Sequence, residues 1–260
     1  MTNDKHHRTL VAGQFGDHAR DYLASTTHAQ GEDLVRMDEI IGARSPGAGL
    51  DLGCGAGHVA FRLSPLSQQV VAFDLSDAML AVVDAEAKRR GLHNISIQAG
   101  SAETLPFTDA GFDWVVSRYS AHHWTEAAAA VAEMRRVLRP NGLILLMDVL
   151  SPGTPLLDTW LQSLELLRDP SHVRDRSLAE WQALLAAAGF RTASVQTFRL
   201  PLAFSAWIER MGTPFTHVSA LRSLQQGAPR EVADYFAIEA DGSFTVDTVL
   251  IAAEATRDRS

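Results

Sequence analysis

The chain is short of cysteine, of long apolar runs and of basic charge, and each shortage removes a class of protein. Cys54 is the sole cysteine of 260 residues, so no intramolecular disulfide can form, which fits a reducing compartment. Lying among glycines, it reads as a small residue tucked under a turn rather than as a nucleophile. The longest apolar stretch, around Leu143 to Leu150, is far shorter than the roughly 20 residues needed to cross a bilayer. The polar start, with His6, His7 and Arg8, precedes no apolar signal core. A cytoplasmic protein with no membrane partner is expected. A net charge of −8 repels a phosphate backbone on average, so nucleic acid is not an expected partner. Neither HExxH nor clustered Cys/His spacing occurs, so no metal is expected, and His6-His7 reads as a disordered start rather than a ligand pair. Internal repeats and low-complexity linkers are also missing, and the sequence carries no mark of an oligomeric state.

What is present is core material in a regular order. Hydrophobic residues make up 46% of the chain, enough for one large domain and too many for wholesale disorder. Short apolar runs alternate with helical patterns, the arrangement of βαβ units and a parallel sheet. Strands are expected at 49–52, 69–73, 95–98, 112–117 and 143–149, the last apolar throughout as a central parallel strand should be. Ser76 is placed to cap a helix that Gly91 stops, Thr125 to cap an alanine-rich helix, and Ser177 with Glu180 forms a capping box. Two late β-rich runs, 192–200 and 243–253, bracket a helical stretch at 204–238. The expected architecture is α/β: a Rossmann-like, doubly wound, seven-stranded sheet, mostly parallel with an antiparallel last strand, plus helical lid insertions. In domain terms, 1–41 is an N-terminal helical lid, 42–150 the cofactor-binding core, 151–176 and 201–240 helical lid inserts, and 177–200 with 241–260 the end of the sheet. Ligands of open α/β sheets bind beyond the carboxyl ends of the strands, where inserts after the fifth strand would emerge.

Gly53-Cys54-Gly55-Ala56-Gly57 follows the first strand and opens a helix, as a nucleotide-type loop does, since glycine lets the backbone turn tightly and approach a ligand. A dinucleotide site needs glycine where this chain has His58. Asp51, just before the loop, suits an ammonium group and is a poor neighbour for a pyrophosphate. Asp74 ends the second strand, where a carboxylate can accept from both ribose hydroxyls; as a bland alternative it is a turn residue or helix cap. Together these residues fit S-adenosylmethionine (AdoMet) better than a nicotinamide dinucleotide. Leu75 and Met79 are placed to pack on its adenine, or simply in the core.

The stretches LDLGCGAG, VVAFDLSDAML, AETLPF with FDWVVSRY, and RVLRPNGLILLMD resemble the successive motifs of class I methyltransferases. Phe15-Gly16, Tyr22, His28, SRYSAHHW at 117–124 and DVLSPGTPLLDTWL at 148–161 extend the likeness to the YafE-type branch of the UbiE-like methyltransferases, over nearly the whole chain. The resemblance implies that Asp51, Gly53 and Gly55 hold the methionine end of AdoMet and Asp74 the ribose, with Leu75 and Met79 beside it. Ala102 and Glu103 meet the adenine edge, and Arg118 lines the sulfonium through its backbone. Tyr22 and His28 close over the cofactor from the N-terminal lid. Many relatives carry aspartate before Ala102; here Ser101 is the weaker acceptor for the adenine amino group.

Methyl transfer from a sulfonium is an in-line displacement that needs alignment above all, which supplies roughly 7–11 kcal/mol in favourable cases. If a base assists, His122 and His123 are the candidates, and since adjacent side chains point in different directions, one of the two is expected to face the cavity. Arg118 either binds a substrate carboxylate or forms a structural salt bridge. His172, Arg174 and Arg210 read as solvated lid residues. The segment after the fourth strand, Arg118-Tyr-Ser-Ala-His122, lacks the acidic ligands of catechol-type enzymes and the Asn/Asp-Pro-Pro-Tyr motif of amine-methylating ones. The expected function is AdoMet-dependent methylation of a small-molecule acceptor, with S-adenosylhomocysteine as by-product. A non-catalytic AdoMet-binding sensor or partner subunit, and a protein or RNA methyltransferase, stay open as alternatives.

Overall fold

The computed structural model describes residues 2–16, 23 and 30–256; the expected lid residues Tyr22 and His28 lie outside the described residues. Five strands, β1 (Ala48–Leu52), β2 (Gln69–Asp74), β3 (Ile95–Ala99), β4 (Phe112–Arg118) and β5 (Leu138–Val149), run parallel to one another. With β6 (Phe190–Leu202) and β7 (Phe244–Ala255) they make one seven-stranded sheet in the order β3-β2-β1-β4-β5-β7-β6. Strand β7 is antiparallel to both its neighbours. The order reverses at β1, and β1 pairs with β4 on its other side, so a crevice opens beyond the carboxyl ends of these two strands.

Period-two patterning explains how the sheet buries both faces. On β5, Ile144 and Leu146 enter one core while Leu143, Leu145 and Met147 enter the other. The first core is covered by α5 (Ala127–Val137) and α7 (Leu178–Ala187), through Val131, Met134, Trp181 and Leu185. The second is covered by α2 (Glu32–Gly42), α3 (His58–Leu63) and α4 (Asp77–Arg90), through Leu34, Met37, Phe61 and Val83. Each such side chain, fully buried, is worth about 1.5–3 kcal/mol.

Helix ends follow local chemistry in most places. Ser76 Oγ accepts from Met79 N at 3.4 Å, and Gly91, at φ +69°, ends α4. The Ser177–Glu180 capping box is present. Thr125 does something else: its hydroxyl donates to Glu103 Oε1 at 3.2 Å, and α5 begins after Glu126 without a side-chain cap. The expected cap is overridden because a short 3-10 turn, Ala121–His123, carries Thr125 to the edge of the crevice. Strand β5 also starts earlier than the apolar run, at Leu138, by accommodating Asn141 at φ +63° and a register shift opposite Phe112.

The insert segments form a core of their own. The helical stretch at 204–238 breaks into α8 (Phe204–Glu209), α9 (Phe215–Gln226) and α10 (Arg230–Tyr235), with Pro214 and Pro229 at the starts of the last two, where proline's missing N–H does no harm. They pack with α6 (Pro155–Arg168) around Trp160, Leu164, Trp207, Phe236 and Phe244. The N-terminal helix α1 (Thr2–Gly16) reaches this unit through Gln14 Nε2, which donates to Met211 O at 3.0 Å. His6 and His7 belong to α1, so that pair is helical rather than disordered.

Candidate active site

The loop after β1 is held by the strand beside it. Gly53 N and Cys54 N both donate to Phe73 O, at 2.8 and 3.0 Å, and Gly57 N donates to Cys54 O at 2.9 Å. Gly53, Gly55 and Gly57 all have positive φ, at +73°, +49° and +87°, the region that side-chain-bearing residues avoid. The three are not alike in their surroundings. A Cβ on Gly53 would sit 1.9 Å from Ser120 Oγ, and one on Gly57 would meet Phe61 and Val83 at 2.9 Å, whereas at Gly55 nothing among the described residues lies within 4 Å. Gly53 and Gly57 are thus required by packing, while Gly55 faces open space.

That space is a cleft of about 1080 Å³, open to solvent. Asp51, Gly53, Gly55, Asp74, Leu75, Met79, Ala102, Glu103 and Arg118 all line it, so the structure brings nine of the sequence-chosen residues to one place. Asp51 is 1% exposed. Its Oδ2 accepts from Ala60 N in the first turn of α3 at 2.8 Å. Burial, reinforced by the Asp74 carboxylate and opposed by the Ala60 hydrogen bond and Arg118, lifts its pKa to about 8. Asp74 Oδ2 accepts from Gly55 N at 2.8 Å and Oδ1 from Ser76 N at 2.9 Å; burial raises its pKa against these hydrogen bonds. Cys54 is buried in the turn, and burial pushes its thiol well up, away from the reactive thiolate.

Ser101 is not among the lining residues. It is buried, and its hydroxyl donates to Glu103 Oε2, so it shapes Glu103 instead of presenting itself to the cleft. Arg118 contributes to the wall, but its guanidinium is committed elsewhere. Nε and Nη2 donate to Asp33 at 2.5 and 3.2 Å, and Nη2 also to Gln30 O at 3.4 Å. The pair is buried on both sides, at 5% and 7% side-chain exposure. Of the two roles open to Arg118, this is the structural salt bridge. Nothing local in the sequence marks Asp33, which lies on α2, as its partner. The next residue, Tyr119, has φ +50°, an uncommon conformation for a bulky residue; its N–H still donates to Met147 O at 2.9 Å. The turn delivers Ser120 to Gly53 and Trp124 and Thr125 to the cleft wall.

The two histidines of this turn diverge. His123 lines the cleft and His122 does not. His123 Nδ1 is 3.0 Å from Ser171 O, and His7 Nε2 lies 3.3 Å from the His123 carbonyl. Burial, helped by the neighbouring His122, lowers the His123 pKa to about 3. The His122 ring lies tilted against it, with ring centroids 4.2 Å apart, while Nδ1 pairs with Asp148 Oδ1 at 2.6 Å and the backbone N donates to Asp148 Oδ2 at 3.1 Å. Burial opposes charge on His122, but the Asp148 carboxylate, with Asp175 and Glu165 behind it, outweighs burial and lifts the pKa to about 9.

The segment after α6 closes over this turn. Val173 N and Arg174 N donate to His122 O at 2.9 and 3.0 Å, and Arg176 Nη1 donates to Ala121 O at 3.1 Å. His172 is therefore not the solvated residue expected: it is buried, with Nε2 2.9 Å from Gln162 Oε1. Arg174 is part-exposed but paired with Asp158 and Glu180.

Comparison with known proteins agrees with this geometry. Residues 50–146 match the methyltransferase domain family. The chain is 47% identical to the protein YafE of Escherichia coli strain K12 over 199 residues, which are 76% of this chain and 96% of that one. It is 38% identical to the methyltransferase YcgJ of Bacillus subtilis strain 168, over 86% of this chain and 88% of that one. The YcgJ crystal structure superposes with a TM-score of 0.81, covering 98% of its chain. The structure of BH2331 from Bacillus halodurans C-125 superposes with a TM-score of 0.84 at 31% identity, covering 87% of this chain and 100% of that one.

Proposed function

Because the chain belongs to the S-adenosylmethionine-dependent methyltransferases, we propose that its cleft binds AdoMet and passes the methyl group to a small-molecule acceptor. The observation that carries this reading is the pair of carboxylates, Asp51 and Asp74, on either side of a positive-φ glycine turn that faces open space at Gly55.

The residues fit the cofactor. Asp51 would face its ammonium. Asp74 would take the ribose hydroxyls: each of its oxygens already accepts one backbone N–H, and a carboxylate oxygen has a second lone pair to offer. Leu75 and Met79 would flank the adenine, Ala102 and Glu103 would meet its edge, and the Arg118 backbone would lie by the sulfonium. When bound, the cofactor supplies a methyl group already activated for displacement. The protein's own part is alignment and exclusion of water. Two contacts of α1 at the edge of the cleft support a lid role: His7 with the His123 carbonyl, and Arg8 with Glu103 at 3.6 Å. A cleft partly covered in this way suits a small acceptor.

Of the two histidines, His123 is the one proposed to meet the acceptor, because it lines the cleft. The Ser171 carbonyl pairs with an Nδ1–H, and Nε2 is buried, 3.9 Å from Asp169 Oδ2, so His123 would meet the acceptor as part of the cleft wall rather than as a proton acceptor.

The test is incubation of the purified protein with methyl-labelled AdoMet and a fractionated cell extract. Label in a low-molecular-weight product, lost with Asp74→Ala, is expected. Label confined to protein or RNA would overturn the small-molecule acceptor. Tight cofactor binding with no labelled product in any fraction would overturn catalysis and favour a non-catalytic sensor.

A further inference from the structure

Behind the cleft wall, the end of β5, the turn after β4 and the segment after α6 bring buried ionisable groups together, and the methyl-transfer reading does not use them. Asp148 comes from β5, His122 from the 3-10 turn and Asp175 from the segment that closes over that turn. One imidazole nitrogen and two carboxylate oxygens from these three residues lie within 4.8 Å of one another.

Asp175 is what makes the cluster more than a polar network. It is 1% exposed, and its Oδ2 has no hydrogen-bond partner among the described residues. The nearest basic group is His172 Nε2, at 3.9 Å, which is instead within hydrogen-bonding distance of Gln162 Oε1 at 2.9 Å. A buried carboxylate oxygen with no partner is costly unless something neutralises it. The positive charge at hand is already engaged: His122 pairs with Asp148 at 2.6 Å, and Arg168 Nη1 lies 3.6 Å from Glu165. Arg176 spends its donors on the carbonyls of Ala121, Trp124 and Arg174, and Arg168 Nε donates to Trp207 O.

We propose that His122, Asp148 and Asp175 bind a divalent transition-metal ion of the zinc class. One imidazole and two carboxylates suit such an ion. In a tetrahedral site two ligands each about 2.1 Å from the ion stand about 3.4 Å apart, so the His122–Asp148 pair, at 2.6 Å, opens and the third ligand, within 4.8 Å, closes in. The ion takes the place of the proton shared between His122 Nδ1 and Asp148 Oδ1 and draws in Asp175 Oδ2. Three protein ligands leave a position for water. With the His123 ring tilted against that of His122, the ion stands behind the cleft wall, where it fixes the wall and ties the 169–177 segment to the turn. The site is independent of AdoMet, and its test uses none.

Chelator-treated full-length protein is titrated with zinc chloride by calorimetry, and thermal unfolding is followed with and without the metal. The expected result is one ion per chain and a raised melting temperature. Asp175→Asn and His122→Gln each weaken binding at least 10²-fold and abolish the thermal shift, while their circular dichroism stays that of the wild type. Cobalt(II) substituted for zinc gives a visible absorption band in the wild type that both variants lack. No saturable one-to-one binding by the wild type overturns the site. Binding that survives both substitutions places the ion elsewhere and overturns it equally. If only one variant folds, that variant decides.

Discussion

Asp74 Oδ2 accepts a hydrogen bond from Gly55 N at 2.8 Å, so the carboxylate that ends the second strand also fixes the glycine turn that follows the first. One side chain therefore sets the geometry of two elements that line the cleft. Asp74→Ala is expected to weaken S-adenosylhomocysteine binding on the order of 10²-fold, since hydrogen bonds to a charged group are worth about 1.5–3 kcal/mol each. Calorimetry reads this directly, and wild-type affinity in the variant would remove Asp74 from the site.

Gly53 and Gly55 are predicted to fail in different ways. Gly53→Ala combines a left-handed backbone with overlap on Ser120 Oγ, and should cost about 2–4 kcal/mol of folding stability. Gly55→Ala meets no atom within 4 Å, so its cost is backbone strain alone, about 1–2 kcal/mol. Its methyl group enters the space assigned to the cofactor, so binding should be lost while the fold is kept. Urea unfolding and S-adenosylhomocysteine titration separate the two, and equal behaviour of the variants would refute the assignment of Gly55.

The buried Arg118–Asp33 pair holds α2 to the end of β4. Arg118→Met leaves a carboxylate buried without its partner and should destabilise by about 3–5 kcal/mol. Arg118→Met combined with Asp33→Leu should recover most of that loss, because both charges then leave together. If the double variant is as unstable as the single one in denaturant unfolding, the pair is not what Arg118 contributes.

Asp51 predicts a pH dependence with a definite sign. Its ordinary pKa of 3.8 is raised to about 8 in the fold, chiefly by burial. Between those values the folded chain holds a proton that the unfolded chain has released. The stability tied to this group is thus complete below about pH 4 and lost as pH rises toward 8. A ligand ammonium at Asp51 stabilises the carboxylate, so S-adenosylhomocysteine binding near pH 7 should release a proton. Calorimetry in buffers of different ionisation enthalpy measures that release. Its persistence in Asp51→Asn would assign it to another group.

Where the sequence was legible, one local rule governed. Apolar runs gave β1, β2 and β4 to within about a residue, and the Ser177–Glu180 box and Gly91 marked helix ends, because capping and φ > 0 depend on near neighbours. Where it misled, a distant partner overrode the local rule. Thr125 left its cap for Glu103, Ser101 turned to Glu103 rather than to the cleft, and His172 was buried by Gln162 and the fold of the 169–177 segment. Asp33 had no signal, since its partner is 85 residues away.

The sequence by itself determined the donor side of this protein. The parallel strands, the glycine turn and the carboxylates of Asp51 and Asp74 at the ends of β1 and β2 lie within βαβ units whose geometry is set by chain-local patterning. The tertiary structure decided the acceptor side. It placed His123 on the cleft and His122 on Asp148, brought His7 and Arg8 of α1 to the cleft edge, and gathered Asp148 and Asp175 behind the wall. Those relationships join segments far apart in the chain, and their spacing is fixed by packing and charge rather than by any local period.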